Sequence, residues 1–277
     1  MNGDIDFTKG IYKGDDIEEI FKPFSTKYMP FWWHFREVLR ANLRASSWWQ
    51  KSDGTALSDE EHKELVALSL LNYSVYTSVA DAVAFLEQLH SELHRTTSAK
   101  WRVFEVRRAW KAMYSSLYTS FNALCNIVCV IVGRKSPFRR RRGVIWNYGP
   151  TKAYNLVNGK GIREIAEALG RCKDRLELRN HLDHFWAVWV QIDRGLFRLD
   201  KAFEKGYVRI GPQAEVQVEV DAHELAKEHL VNSAKDFNSI YQELAIEGGH
   251  LDEYLSAKGW RIDYSDYGPH NGRRPRP

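Results

Sequence analysis

The stretch from Asp59 to His94, DEEHKELVALSLLNYSVYTSVADAVAFLEQLHSELH, contains neither Gly nor Pro. Leu65, Leu68, Asn72, Val75, Val79, Ala82, Leu86, Leu89 and Leu93 recur along it at alternating spacings of three and four. That period is one face of a long α-helix. Asn72 is the polar interruption and reads as a buried group that fixes helix register. Ser58-Asp-Glu-Glu61 just ahead is a capping box: the Ser58 hydroxyl accepts from the Glu61 N–H and Glu61 reaches back. Thr96 to Ser98 break the pattern, and a second stripe follows at Val103, Val106, Trp110, Met113, Leu117, Phe121, Leu124, Val128 and Ile131. Gly133 stands where a C-terminal cap belongs. Two such helices joined by about four residues must reverse direction. The expectation is an antiparallel hairpin roughly 50 Å long at a 1.5 Å rise per residue.

Outward from the hairpin, Gly3, Gly10, Gly14 and Pro23 interrupt residues 1–28, and a short helix is expected from Phe31 to Arg44. Arg134 to Thr151 reads as a loop. Helical signal returns from Gly161 to about Ile192, with a possible break at Gly170. The period then falls to two at Tyr207–Ile210 and Glu215–Val220 around Gly211-Pro212, which predicts a β-hairpin within 205–220. Asp221 caps a last helix, Ala222 to about Ile246. The expected organisation is an N-terminal extension (1–57), a helical domain (58–247) and a loosely attached tail (248–277) ending in Arg273-Arg-Pro-Arg276. The fold class is mainly α.

Composition narrows the function classes. The 277 residues carry 40 basic and 36 acidic side chains, for a net charge of +4, so a polyanion partner would have to meet a local patch. Three cysteines exclude a disulfide framework and suit a reducing compartment. The N-terminus has no signal-peptide pattern. The most apolar run, Leu117–Val132, is short for a bilayer span and holds Asn122 and Asn126. The expectation is a cytoplasmic protein with no membrane partner. No Gly-rich phosphate loop, serine-hydrolase elbow or CxxC pair is present.

The segment LELRNHLDHFW, Leu176 to Trp186, contains Arg179-Asn180-x-x-x-His184. With Leu182 at zero on a helical wheel, Leu178, Phe185, Trp189 and Ile192 fall within about 80° and form the expected core stripe. Asn180 and His184 fall near ~160° and ~200°, away from it, and Arg179 near ~60°. Ala187, Val188 and Val190 are apolar on the remaining sides. A helix apolar nearly all round is buried on more than one side, by a second subunit or by the 222–246 helix.

The motif resembles the R-x4–6-H signature of the HEPN superfamily (higher eukaryote and prokaryote nucleotide-binding domains), whose members are helical bundles built on a long hairpin with the motif on a late helix. The resemblance spans roughly residues 58 to 192. It implies a metal-independent endoribonuclease, without cofactor, that cleaves RNA by attack of the 2′-OH on its own phosphate. It also implies a homodimer, and a role as a toxin with an antitoxin partner or as an anti-phage effector. Such chemistry needs a proton carrier near neutral pH, which suits His184. It also needs a fixed cation against developing phosphorane charge, which suits Arg179, with Asn180 as orienter. The alternatives are a non-catalytic HEPN-like protein-interaction module and a nucleotide-binding module.

Other candidates carry less. Arg139, Arg140, Arg141 and Arg142 are candidate RNA-phosphate contacts, although such a run is also an ordinary solvated loop. Arg107, Arg108 and Lys111 read as a solvated face. His181 reads as a packing or rim residue. His90 and His94 share a helix face, but no third metal ligand follows nearby, so no metal site is assigned. Cys125 and Cys129 read as buried thiols.

Overall fold

The computed structural model describes residues 17–46, 55, 57–94, 99–137, 148–184, 189–190, 196–200 and 217–260. They form a mainly helical bundle: α1 (Ile17–Tyr28), α2 (Pro30–Ser46), α3 (Asp59–His94), α4 (Ala99–Ile131), α5 (Gly149–Gly159), α6 (Arg163–His184), α7 (Ala222–Gln242) and α8 (His250–Ala257). A π-helical turn, Glu243–Glu247, links α7 towards α8. The described residues fall into two compact units. The first draws on Met1–Tyr28, Val75–Phe121 and Leu169–Asp236, the second on Met29–Ser74, Asn122–Ala168 and Phe237–Pro277.

Both stripes read from the sequence are core. Every position from Leu65 to Leu93 in the first stripe is buried, as is every position from Val106 to Ile131 in the second. The capping box forms: the Glu61 N–H donates to Ser58 Oγ at 3.3 Å and the Ser58 N–H to Glu61 Oε2 at 3.0 Å. Phe104–Ile131 within α4 is long and apolar enough to cross a membrane by length and composition, unlike the shorter run expected from Leu117; 72% of its most apolar window is buried inside the protein.

In the first unit α1 continues through Pro23, where the sequence suggested interruption. A Pro inside a helix costs about 3 kcal/mol. Here it is offset by full burial of Phe21 and Phe24, with the Phe21 ring edge-on to Tyr76 at 4.7 Å. The sheet of this unit has three antiparallel strands in the order β1 (Trp189–Val190), β2 (Leu196–Asp200), β3 (Gln217–Asp221). This corrects two expectations. The helix carrying the motif ends at His184, and Trp189 and Val190 lie in a strand, so the all-round apolar helix to Ile192 does not exist. The hairpin reading also changes: β3 pairs with Leu196–Asp200, Leu199 opposite Val218, a strand that the sequence reading did not assign. Tyr207–Ile210 lie outside the described residues.

In the second unit Asn72 takes the register role its position suggested. Its side-chain oxygen accepts from the Tyr241 hydroxyl at 2.8 Å, and its carbonyl accepts from Trp32 Nε1 at 3.2 Å. Helix α5 begins within the last three residues of the expected loop and continues through residues to which the sequence reading gave no element; Pro150 sits in its first turn, where a missing N–H costs nothing. The Tyr148 N–H just before it donates to Asn126 Oδ1 at 2.7 Å. Residues 250–260, expected in a loose tail, are packed: Leu251, Tyr254, Leu255 and Trp260 are buried. The left-handed residue after α4 is Arg134 (φ 49°), not Gly133. Gly133 is needed for space, because a Cβ there would collide with the Cys129 carbonyl oxygen and approach Leu156 Cδ2 at 2.9 Å.

Asn72→Leu should cost about 1–3 kcal/mol, because the buried Tyr241 hydroxyl loses its acceptor. Adding Tyr241→Phe should return much of that loss. Urea unfolding of the two single variants and the double variant checks this; additive losses would show that the pair does not interact.

Candidate functional site

Arg179, Asn180 and His184 all lie in α6, with His184 as its last residue. Helical geometry therefore sets Asn180 and His184 one turn apart and Arg179 one residue further back. The candidate phosphate contacts Arg139 to Arg142 lie outside the described residues.

The buried positions of α6 fix which of its faces turns inward. Ile165, Leu169, Cys172 and Leu176 step by four, three and four and are all buried. The positions of Arg179, Asn180 and His184 fall within about 80° of Leu176 on the same wheel.

One turn before the motif, α6 meets α7 through a polar cluster that the sequence reading did not single out. Asp236 is buried, and its two carboxylate oxygens are divided between two arginines. Oδ1 takes Arg171, with Nη2 at 2.7 Å and Nε at 2.9 Å. Oδ2 takes Arg175 Nη2 in a short charge-assisted contact. Arg175 is 17% exposed and also reaches Ser233 Oγ at 3.4 Å and Cys172 Sγ at 3.7 Å. Burial, reinforced by the Asp236 charge, pushes the Cys172 thiol far above its ordinary range, so it is an inert neutral group. A further turn back along α7, His229 Nδ1 stands 2.8 Å from the Tyr114 hydroxyl. Burial, and secondarily the Arg175 cation, lowers the His229 pKa from 6.5 to about 4. Burial first, then Glu228, raises that of Tyr114. Both groups are neutral at pH 7, and a phenol donating to a bare Nδ1 satisfies both.

The signal for this cluster was in the sequence. Arg171, Arg175 and Arg179 recur every four residues, and His229, Ser233 and Asp236 step by four and three beside the apolar stripe of α7. What was missing was the knowledge that these two faces meet.

Elsewhere in the same unit the His90 ring lies 4.3 Å from His94 and 4.8 Å from His223. Among the described residues no group of three His, Cys, Asp or Glu side chains is placed to hold a metal ion. Cys125, Cys129 and Cys172 are buried free thiols, and burial raises the Cys129 pKa to about 11. Comparison of the chain with protein-family models, with curated proteins and with solved structures finds no match.

The folded-state pKa of His229 is depressed, so its contribution to stability is fully present above about pH 6.5. It declines as pH falls towards about 4, because only the unfolded chain takes up the proton in that window. Urea midpoints measured from pH 7.5 to 4 should therefore fall more steeply for the wild type than for His229→Gln. Parallel curves would show that His229 protonates as readily folded as unfolded.

Proposed function

We propose that the chain is a metal-independent endoribonuclease of HEPN type, built as a helical bundle on an antiparallel α3–α4 hairpin. The observation that carries this reading is that Arg179, Asn180 and His184 share one uninterrupted helix.

Three further features support it. The motif sits on a helix that follows two long ones, as the resemblance implies. Asp236, held between Arg171 and Arg175, sets the rotation and axial position of α6 immediately before the motif. Asn180 and His184 are four residues apart on that helix, the spacing at which two positions share a face.

In the proposed reaction the 2′-OH attacks the adjacent phosphorus and the 5′-oxygen leaves. His184 moves the proton, Arg179 balances the charge on the non-bridging oxygens, and Asn180 orients one of them. The products are a 2′,3′-cyclic phosphate and a 5′-hydroxyl. Arg139 to Arg142 would add salt-sensitive phosphate contacts. The proposed setting is a cytoplasmic homodimer acting on RNA, with a toxin–antitoxin or anti-phage role following from the resemblance.

Purified protein incubated with total RNA in EDTA should cleave it, and His184→Ala should lower the rate by roughly 10²–10⁴-fold. Arg179→Ala should be similarly impaired. Cleavage unchanged in His184→Ala would overturn the assignment. If neither protein cleaves, a non-catalytic interaction module takes its place.

A further inference from the structure

We infer that the second unit holds a separate binding site for a small organic monoanion, a carboxylate on an apolar body. The site is a cleft of about 330 Å³ lined by Ile131, Val132, Arg134, Lys160, Ile162, His250 and Glu253. That volume lies at the small end of the range for ligand pockets. Its lining divides into an apolar wall of Ile131, Val132 and Ile162 and a charged rim.

The charges select the ligand. Arg134 and Lys160 are the basic side chains of the lining, and Glu253 is its one acid. Its Oε2 lies 3.9 Å from Arg134 Nη2, with both side chains more than 60% exposed, so the pair is loose and open to exchange. Two cations against one carboxylate leave a single positive charge. A monoanion balances it, a divalent cation is repelled, and a phosphate dianion overshoots. Lys160 Nζ donates to the Val132 carbonyl at 2.8 Å, which holds the ammonium at the cleft and leaves two further N–H donors.

One local irregularity, at Arg134, lies in the lining, and two more lie just ahead of His250 in the chain. Arg134 adopts a left-handed backbone (φ 49°), which is strained for a residue with a Cβ. Such conformations persist where the surroundings enforce them and gather at ligand sites. The π-helical turn Glu243–Glu247, a type of irregularity frequent at functional sites, precedes Gly248-Gly249. Gly248 lets the chain close tightly, since a Cβ there would come within 2.7 Å of the His250 ring and 2.5 Å of Glu243 Oε1. The ring so held has a buried Nε2 with no hydrogen bond, the Glu243 carboxylate standing 3.9 Å away.

The inference uses no residue of the ribonuclease motif and stands whether or not that reading holds. Benzoate is the probe, benzamide its neutral control, and the His250 imidazole resonance of the full chain the local reporter. Benzoate should shift that resonance with a Kd in the millimolar range, as expected for so few atoms. Benzamide should bind at least about tenfold more weakly. Arg134→Gly should cut benzoate affinity about tenfold while melting no lower than the wild type, because glycine accepts the left-handed backbone. Lys160→Met should cut affinity similarly. No His250 shift at saturating benzoate, equal binding of benzamide, or wild-type affinity in both variants would each overturn the proposal.

Discussion

The candidate ribonuclease site depends on one carboxylate. Asp236 is buried on α7 and neutralises two arginines of α6 that stand one turn apart. A buried charge without its counter-charges is strongly destabilising, so the three groups stay together or the packing fails. The double contact does more than a single ion pair would. Two anchor points one turn apart remove the freedom of α6 both to rotate about its axis and to slide along it. Arg175, Ser233 and His229 extend the same seam, and Tyr114 holds the far end through His229. The next turn of α6 carries Arg179 and Asn180, so the rigid seam and the motif share one helix.

Much of the bundle was readable because its helices are long. Across α3 and α4 the three–four spacing repeats often enough that no other period fits, and the buried positions are the ones so marked. The capping box at Ser58 was readable because its chemistry is local. Asn72 was readable because a single polar residue inside a long apolar stripe needs a partner, and Tyr241 supplies one.

The rest depended on contacts that no local pattern encodes. Helix α5 was hidden by Pro150, which breaks a helix interior but suits a first turn. The end of α6 was misplaced because Phe185 to Ile192 is apolar, and an apolar run of that length fits helix and strand alike. The pairing of β3 with Leu196–Asp200 is a choice of partner that alternation alone cannot make. The motif residues were visible as a motif. The cluster that steadies them was not, because its partners on α6 and α7 are about 60 residues apart in the chain.

The two proposed sites make different demands of one chain. The ribonuclease reading uses α6 and needs only a cation, a proton carrier and the 2′-hydroxyl of the substrate. The proposed carboxylate cleft lies in the other unit, lined by the end of α4, the residues between α5 and α6, and the first turn of α8. The claim that most needs a direct test is that the RNA supplies its own nucleophile. An RNA that the protein cleaves, resynthesised with a single 2′-deoxynucleotide on the 5′ side of the cut, isolates that step. The account predicts that cleavage stops at that bond and continues at any others. Cleavage at the substituted bond at an undiminished rate would mean that water or another group attacks the phosphorus, and would contradict the assigned mechanism.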